Sequence, residues 1–160
     1  MGVIDNLGKK AEVKVKEWLN RPDEGFCFDR VPDQTSGLFG SCNICDFTLF
    51  KRPYYYYLES KATEHDNFPF SMITDYQRDN MLKKSKIDGV RCYVIVLFAS
   101  YRRAFVLDIR DIVELESHGK KSLNIKKIEK WTIPFKEIKT IPSRKSLLDY
   151  DFEDAKEFFT

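Results

Sequence analysis

Cys45-Asp46-Phe47-Thr48-Leu49-Phe50-Lys51-Arg52-Pro53-Tyr54-Tyr55-Tyr56-Tyr57-Leu58-Glu59-Ser60-Lys61 is the stretch whose reading decides the fold. Residues 44–50 and 54–61 are dense in aromatics, and Lys51-Arg52-Pro53-Tyr54 between them is turn-like. A hairpin with a loop over 51–54 pairs residue 50 with 55. Continuing that register sets Asp46 opposite Glu59 on one face, with Cβ atoms roughly 5 Å apart. Strand alternation places Lys61 on that face as well. Two carboxylates so close repel, and a divalent cation between them removes that cost. An acid facing acid-x-Lys suits metal-assisted phosphodiester hydrolysis, with the lysine beside the attacking water. Ordinary cross-strand pairing of a carboxylate with a lysine is the plainer reading of the same spacing.

Outward from this hairpin, Leu7, Ala11, Val15, Trp18 and Leu19 recur at helical spacing, so residues 4–20 are expected to form an amphipathic helix ended by Asn20-Arg21-Pro22. Residues 26–31 read as a short strand and 32–43 as a loop rich in Gly, Ser and Pro. A second loop spans 62–70 and a second helix 74–86. Residues 90–98 are strongly apolar, as a strand buried on both faces would be. Residues 104–109 read as a strand and 110–117 as a short helix. Between 120 and 142, Ile125, Ile128 and the run from Trp131 to Ile133 are weak strand signals without a clear register. Residues 151–159 read as a terminal helix. The whole is expected to be a single α+β domain spanning 1–160.

The chain has 160 residues, the length of one ordinary domain. Its net charge of +2 does not demand a nucleic-acid partner. The basic doublets Lys9-Lys10, Lys83-Lys84, Arg102-Arg103, Lys120-Lys121, Lys126-Lys127 and Arg144-Lys145 fit either a basic face or a plain solvated surface. No apolar run is long enough for a membrane span and no signal peptide opens the chain, so a cytoplasmic location is expected. Cys42 and Cys45 have metal-ligand spacing, but zinc requires Cys27 and Cys92 to gather with them; packing of Cys45 and Cys92 in strands is the alternative. His65 and His118 support no triad, and no glycine pattern for cradling phosphate is present.

Several segments stand in a telling order: Gly8-Lys9-Lys10-Ala11-Glu12, Pro32-Asp33-Gln34-Thr35-Ser36-Gly37, Cys45-Asp46-Phe47, Glu59-Ser60-Lys61-Ala62-Thr63, then Phe68-Pro69-Phe70-Ser71 and Gln77. Together they resemble the PD-(D/E)XK nuclease superfamily, and most closely RecU-type Holliday junction resolvases of the short phage-like form. The likeness covers about residues 5–110. It implies a restriction-endonuclease-like α/β core, a mixed central sheet flanked by helices. It implies Mg²⁺ or Mn²⁺ held by Asp46, Glu59 and the main-chain carbonyl of Ser60. Lys61 would be the catalytic lysine, Glu12 an added acid and Gln77 a steadying group. It implies a DNA substrate, a four-way junction, cut by a homodimer in a bacterial or phage-infected cell. Lys9, Lys10, Lys14, Arg102 and Arg103 are the candidate phosphate contacts. The sequence departs from the family in Tyr76, where a histidine is usual, and in the run Tyr54 to Tyr57, and no basic projection is located.

Some of these residues carry a second reading. Glu12 stands four before Lys16 and could form a helix ion pair. Thr74-Asp75-Tyr76-Gln77 matches a capping box, in which Gln77 would serve a backbone N–H. Asp33 follows Pro32 and could be the motif's acid, although Asp46 has the register argument. The tyrosines are read as core in preference to base-stacking platforms.

Overall fold

The computed structural model describes residues 3–20, 25–32, 43–153 and 159, with side chains from Leu7 onward in the first helix. In chain order the elements are α1 (Val3–Leu19), β1 (Cys27–Arg30), β2 (Phe47–Lys51), β3 (Tyr54–Thr63), β4 (Asn67–Pro69), α2 (Asp75–Ser85), β5 (Val90–Phe98), β6 (Arg103–Asp108), α3 (Ile109–Ser117), β7 (Ser122–Asn124), β8 (Lys136–Ile138), β9 (Thr140–Pro142) and β10 (Tyr150–Phe152). Among the described residues no helix is long and apolar enough to cross a membrane.

The hairpin forms in the expected register. Phe50 pairs with Tyr55 and Phe47 with Leu58, and the ladder closes one step tighter, at Lys51 and Tyr54 across a two-residue turn. β3 then runs parallel to β5, with Glu59 beside Val94, and α2 lies in the crossover between them. A parallel pair needs such a long connection, which here places a helix on one face of the sheet. The six-stranded sheet has the order β1-β2-β3-β5-β6-β8 and is mixed, since its neighbours are antiparallel except at β3–β5.

Each face of the sheet carries its own core. On one, Ala11, Val15, Trp18 and Leu19 of α1 pack on Phe47, Leu49, Tyr56, Leu58, Ile95 and Leu97. Tyr150, Phe152 and Phe159 from the end of the chain close over them. Trp18 sits edge-on to Phe152 at 5.6 Å, and its indole N–H donates to the Glu153 carbonyl at 2.7 Å. Trp18→Ala is expected to cost about 3–5 kcal/mol, as large aromatic truncations in cores do; a urea melt at matched pH checks it. The other face packs Met81 of α2 and Ile112 of α3 on Val94, Val96, Phe98, Phe105 and Leu107, with Phe68 and Phe70 beside them. The run Val94 to Phe98 is buried throughout, as its unbroken apolar sequence required.

Three expectations need correction. The segment 62–70 is not only loop: β3 continues to Thr63, and β4 pairs with β7 at Phe68 and Leu123. Ile125 and Ile128 lie in a 3-10 turn, and the strands of this region are β7, β8 and β9 instead. Asp151 and Phe152 belong to β10, which pairs with β9, while the rest of the expected terminal helix lies outside the described residues, apart from Glu153 and Phe159. Of the tyrosines, Tyr56 is core. Tyr54 and Tyr57 are half-buried under Arg91 and Lys84, and Tyr55 is exposed.

Candidate active site

Asp46 sits one residue before β2, its backbone fixed on both sides. Its N–H donates to the Leu58 carbonyl at 3.1 Å, and its own carbonyl accepts from Val31 N–H at 2.8 Å. Phe47 and Leu58 point into the α1 core, so Asp46 and Glu59 share the opposite face, the one that carries α2. The Asp46 carboxylate reaches along the hairpin, and its Oδ2 accepts from the Ser60 N–H at 2.8 Å.

Glu59 is 3 % exposed and is the most buried carboxylate at the site. Its Oε1 takes two partners, Lys61 Nζ at 2.8 Å and Gln77 Nε2 at 2.8 Å. Its Oε2 is buried with no hydrogen-bond partner among the described residues. An orphaned carboxylate oxygen in a low-dielectric setting is costly unless something binds it. Burial, and then Glu59, push Asp46 up to about 7, although the Ser60 N–H pulls it down. Burial raises Glu59 too, against the opposing pull of Lys61 and Gln77. A buried oxygen without a partner beside a second carboxyl pushed up by like charge is what a cation would relieve. Among the described residues no three His, Cys, Asp or Glu side chains form a metal-holding group. The two carboxylates would therefore need the Ser60 carbonyl or water to complete a shell.

The two readings of Gln77 coexist. Its Oε1 accepts from the Thr74 N–H at 3.2 Å while Thr74 Oγ1 accepts from Gln77 N–H at 3.2 Å, a complete capping box. The remaining Nε2 is thereby aimed at Glu59. Gln77→Ala is expected to lower activity about 10–100-fold, the cost of losing a hydrogen bond that orients a carboxylate of a site such as this. Thr74→Ala should cost only about 1 kcal/mol of stability. Paired melting curves and rate assays separate the two.

Glu12 comes from α1 and pairs at 2.6 Å with Arg30, the last residue of β1, and among the described residues not with Lys16. Its charge still bears on Asp46 and Glu59, raising both. Arg30 escaped the sequence reading because only the pairing of Arg30 with Phe47 brings β1 to this end of α1. Cys45 and Cys92 pack as buried free cysteines, the alternative to zinc that their positions offered. The Cys45 thiol donates to the Phe47 carbonyl at 3.1 Å and is pushed up to about 12 by burial and then Glu59. Cys92 is likewise buried and raised to about 12. Both pack as neutral thiols; Cys42 and Asp33 lie outside the described residues.

Lys14 must be withdrawn as a phosphate contact. Its side chain is 2 % exposed and pairs with Asp151 at 3.3 Å. Arg102 and Arg103 are bound to Asp149 at 2.8 Å and to Glu137 at 2.6 Å, so each would have to exchange a carboxylate for a phosphate. Lys9 is exposed and Lys10 half-buried on the same helix as Glu12.

The model of the family described as Recombination protein U matches residues 29–150. The chain belongs to the RecU family. That match holds Asp46, Glu59, Lys61 and Gln77 of this RecU chain and runs well beyond residue 110, whereas α1 with Glu12 lies outside it. No curated protein matches. Eighteen chains of solved structures do. Among them is Archaeoglobus fulgidus Hjc, described as a Holliday junction resolvase from an archaeal hyperthermophile. It is 14 % identical with a TM-score of 0.44, over 67 % of the RecU chain and 78 % of its own.

Proposed function

We propose that this RecU-family chain is a divalent-metal-dependent endonuclease that resolves four-way DNA junctions by phosphodiester hydrolysis. The observation that carries the reading is Glu59: one oxygen is held by Lys61 and Gln77, and the other is buried, without a partner among the described residues and on the face of Asp46. Asp46, Glu59 and the Ser60 carbonyl would hold Mg²⁺ or Mn²⁺, both of which favour oxygen ligands. When bound there, the ion supplies Lewis-acid polarisation of the scissile phosphate and offsets the charge that builds on it.

The chain's own residues do the rest. The Ser60 N–H keeps one Asp46 oxygen fixed along the hairpin. Gln77 and Lys61 set the orientation of the Glu59 carboxylate. Lys61, 17 % exposed, has a face toward solvent from which its ammonium can orient an attacking water and donate to the developing phosphate charge. Glu12 adds negative field at the rim while Arg30 holds it in place.

A four-way junction has approximate two-fold symmetry, so cutting opposed strands suits a homodimer with two sites. A substrate of this kind fits the cytoplasm of a bacterial or phage-infected cell. The test is cleavage of an end-labelled junction beside a linear duplex of matching sequence, at equal concentrations. Symmetric cuts near the branch point, with the duplex left intact, are the expected result. Equal cutting of both would keep the chemistry and remove the junction from the reading.

A further inference from the structure

From Lys120 to Trp131 the chain carries five lysines, Lys120, Lys121, Lys126, Lys127 and Lys130, against one acid, Glu129. The segment lies on the same sheet face as Glu59, because Leu123 and Ile125 enter the core that α2 covers. It is firmly held. β7 pairs with β4, and the Asn124 side chain accepts from the Lys126 N–H at 2.9 Å. The Trp131 indole donates to the Asn124 carbonyl at 3.0 Å, and its ring packs against Phe105 and Phe135, each at 5.2 Å.

The counter-charges are unevenly spent. Asp66, fixed by the Tyr101 hydroxyl, pairs with Lys126 at 2.9 Å. Lys120, Lys121, Lys127 and Lys130 are exposed and have no carboxylate partner among the described residues. Lys120 and Lys121 border a cleft of about 860 Å³ whose other wall is the start of α2, at Thr74 and Asp75. A neighbouring hollow of about 680 Å³ shares Lys120 and Lys121 and extends to Lys127 and Lys130. The two acids facing the cleft, Asp75 and Glu116, are both engaged by Arg78, at 2.7 and 2.8 Å. Among the described residues, what remains unopposed along the groove is positive. The groove ends at the helix whose Gln77 touches Glu59. Lysines crowded on a rigid segment repel one another, and a polyanion laid along them removes that cost.

We propose that Lys120, Lys121, Lys127 and Lys130 form a phosphate track that seats a duplex arm of the DNA substrate beside the Asp46–Glu59–Lys61 site. The proposal rests on the endonuclease reading and adds to it where the DNA lies. Lysines acting as point charges on phosphates carry no sequence information, so the track would serve any duplex arm.

The test is equilibrium binding of a fluorescent four-way junction and of a linear duplex, in chelator to prevent cutting, over a range of NaCl. The variants are Lys120→Ala/Lys121→Ala/Lys127→Ala/Lys130→Ala and, as a control for the same loss of charge elsewhere, Lys136→Ala/Lys139→Ala/Arg144→Ala/Lys145→Ala. Each lost phosphate contact lowers the slope of log K against log salt by about 0.9, so the track variant should lose about three to four in slope and at least about tenfold in affinity at low salt. The control should change the slope by less than about one. Should the quadruple variant melt early, Lys121→Glu and Lys127→Glu singly, each with a wild-type melting curve, must still weaken binding. Tight binding by wild type with an unchanged slope in the track variant overturns the track and leaves the nuclease reading standing. No binding of either DNA by wild type overturns both.

Discussion

Lys61→Ala should lower the rate of DNA cleavage by about 10³-fold, in the range seen when one donor to a developing oxyanion is removed. Lys61 is the only described cation in contact with the Glu59 carboxylate, at 2.8 Å, and it stands two residues on, on the same face. Junction affinity measured in chelator should be largely retained, because one half-buried lysine adds little to a backbone interface. Lys61→Arg should recover part of the rate: it keeps the charge but replaces a compact ammonium by a planar fork. The competing account makes Lys61 a structural partner of Glu59 and nothing more. That account predicts a lower melting temperature and an unchanged single-turnover rate, and this outcome would sink the catalytic assignment.

The second large effect is on stability, and its sign is unusual. Burial and Glu59 hold the Asp46 carboxyl at about 7 in the folded chain, whereas an unfolded aspartate titrates near 3.9. The folded state therefore keeps a proton that the unfolded chain gives up. The stability this confers is fully present below about pH 4 and is lost as the pH rises through about 7. In chelator, the wild-type protein should become less stable between pH 4 and pH 8. Asp46→Asn should then be the more stable protein at pH 8, by about 1–3 kcal/mol, since an amide can still accept from the Ser60 N–H without charge. Adding Mn²⁺ should raise the wild-type melting temperature at pH 8 and leave that of Asp46→Asn nearly unmoved. Thermal melts at pH 5 and pH 8, with chelator and with Mn²⁺, check all three statements. A variant less stable than wild type at pH 8 in chelator would mean that the two carboxyls are not in conflict.

The hairpin was legible because its information is local. A short turn fixes the register, and alternation then assigns Asp46, Glu59 and Lys61 to one face while Phe47 and Leu58 take the other. The helix α1 and the strand β5 declared themselves by period and by unbroken apolar sequence. Residues 120–153 resisted for the opposite reason. Their strands are three residues long, too short for a period, and their partners are distant: Ile138 pairs with Ala104, and Trp131 is seated among Phe98, Phe105 and Phe135. Lys14 misled because its partner is Asp151, at the other end of the chain. A lysine on an amphipathic helix reads as solvated until the element that covers it is known. Gln77 satisfied two readings because a carboxamide has two ends, one for the helix cap and one for Glu59.

The measurement that bears most directly on the site is single-turnover cleavage of an end-labelled four-way junction by wild type and Glu59→Gln, across a Mg²⁺ titration that begins in chelator. The wild-type rate should be nil in chelator and rise to saturation with the ion. Glu59→Gln, which keeps the shape but loses the charge beside Asp46, should stay inactive at every concentration. Cutting in chelator, or a Glu59→Gln protein that reaches the wild-type rate, would contradict the assignment of Asp46 and Glu59 as the pair that holds the metal.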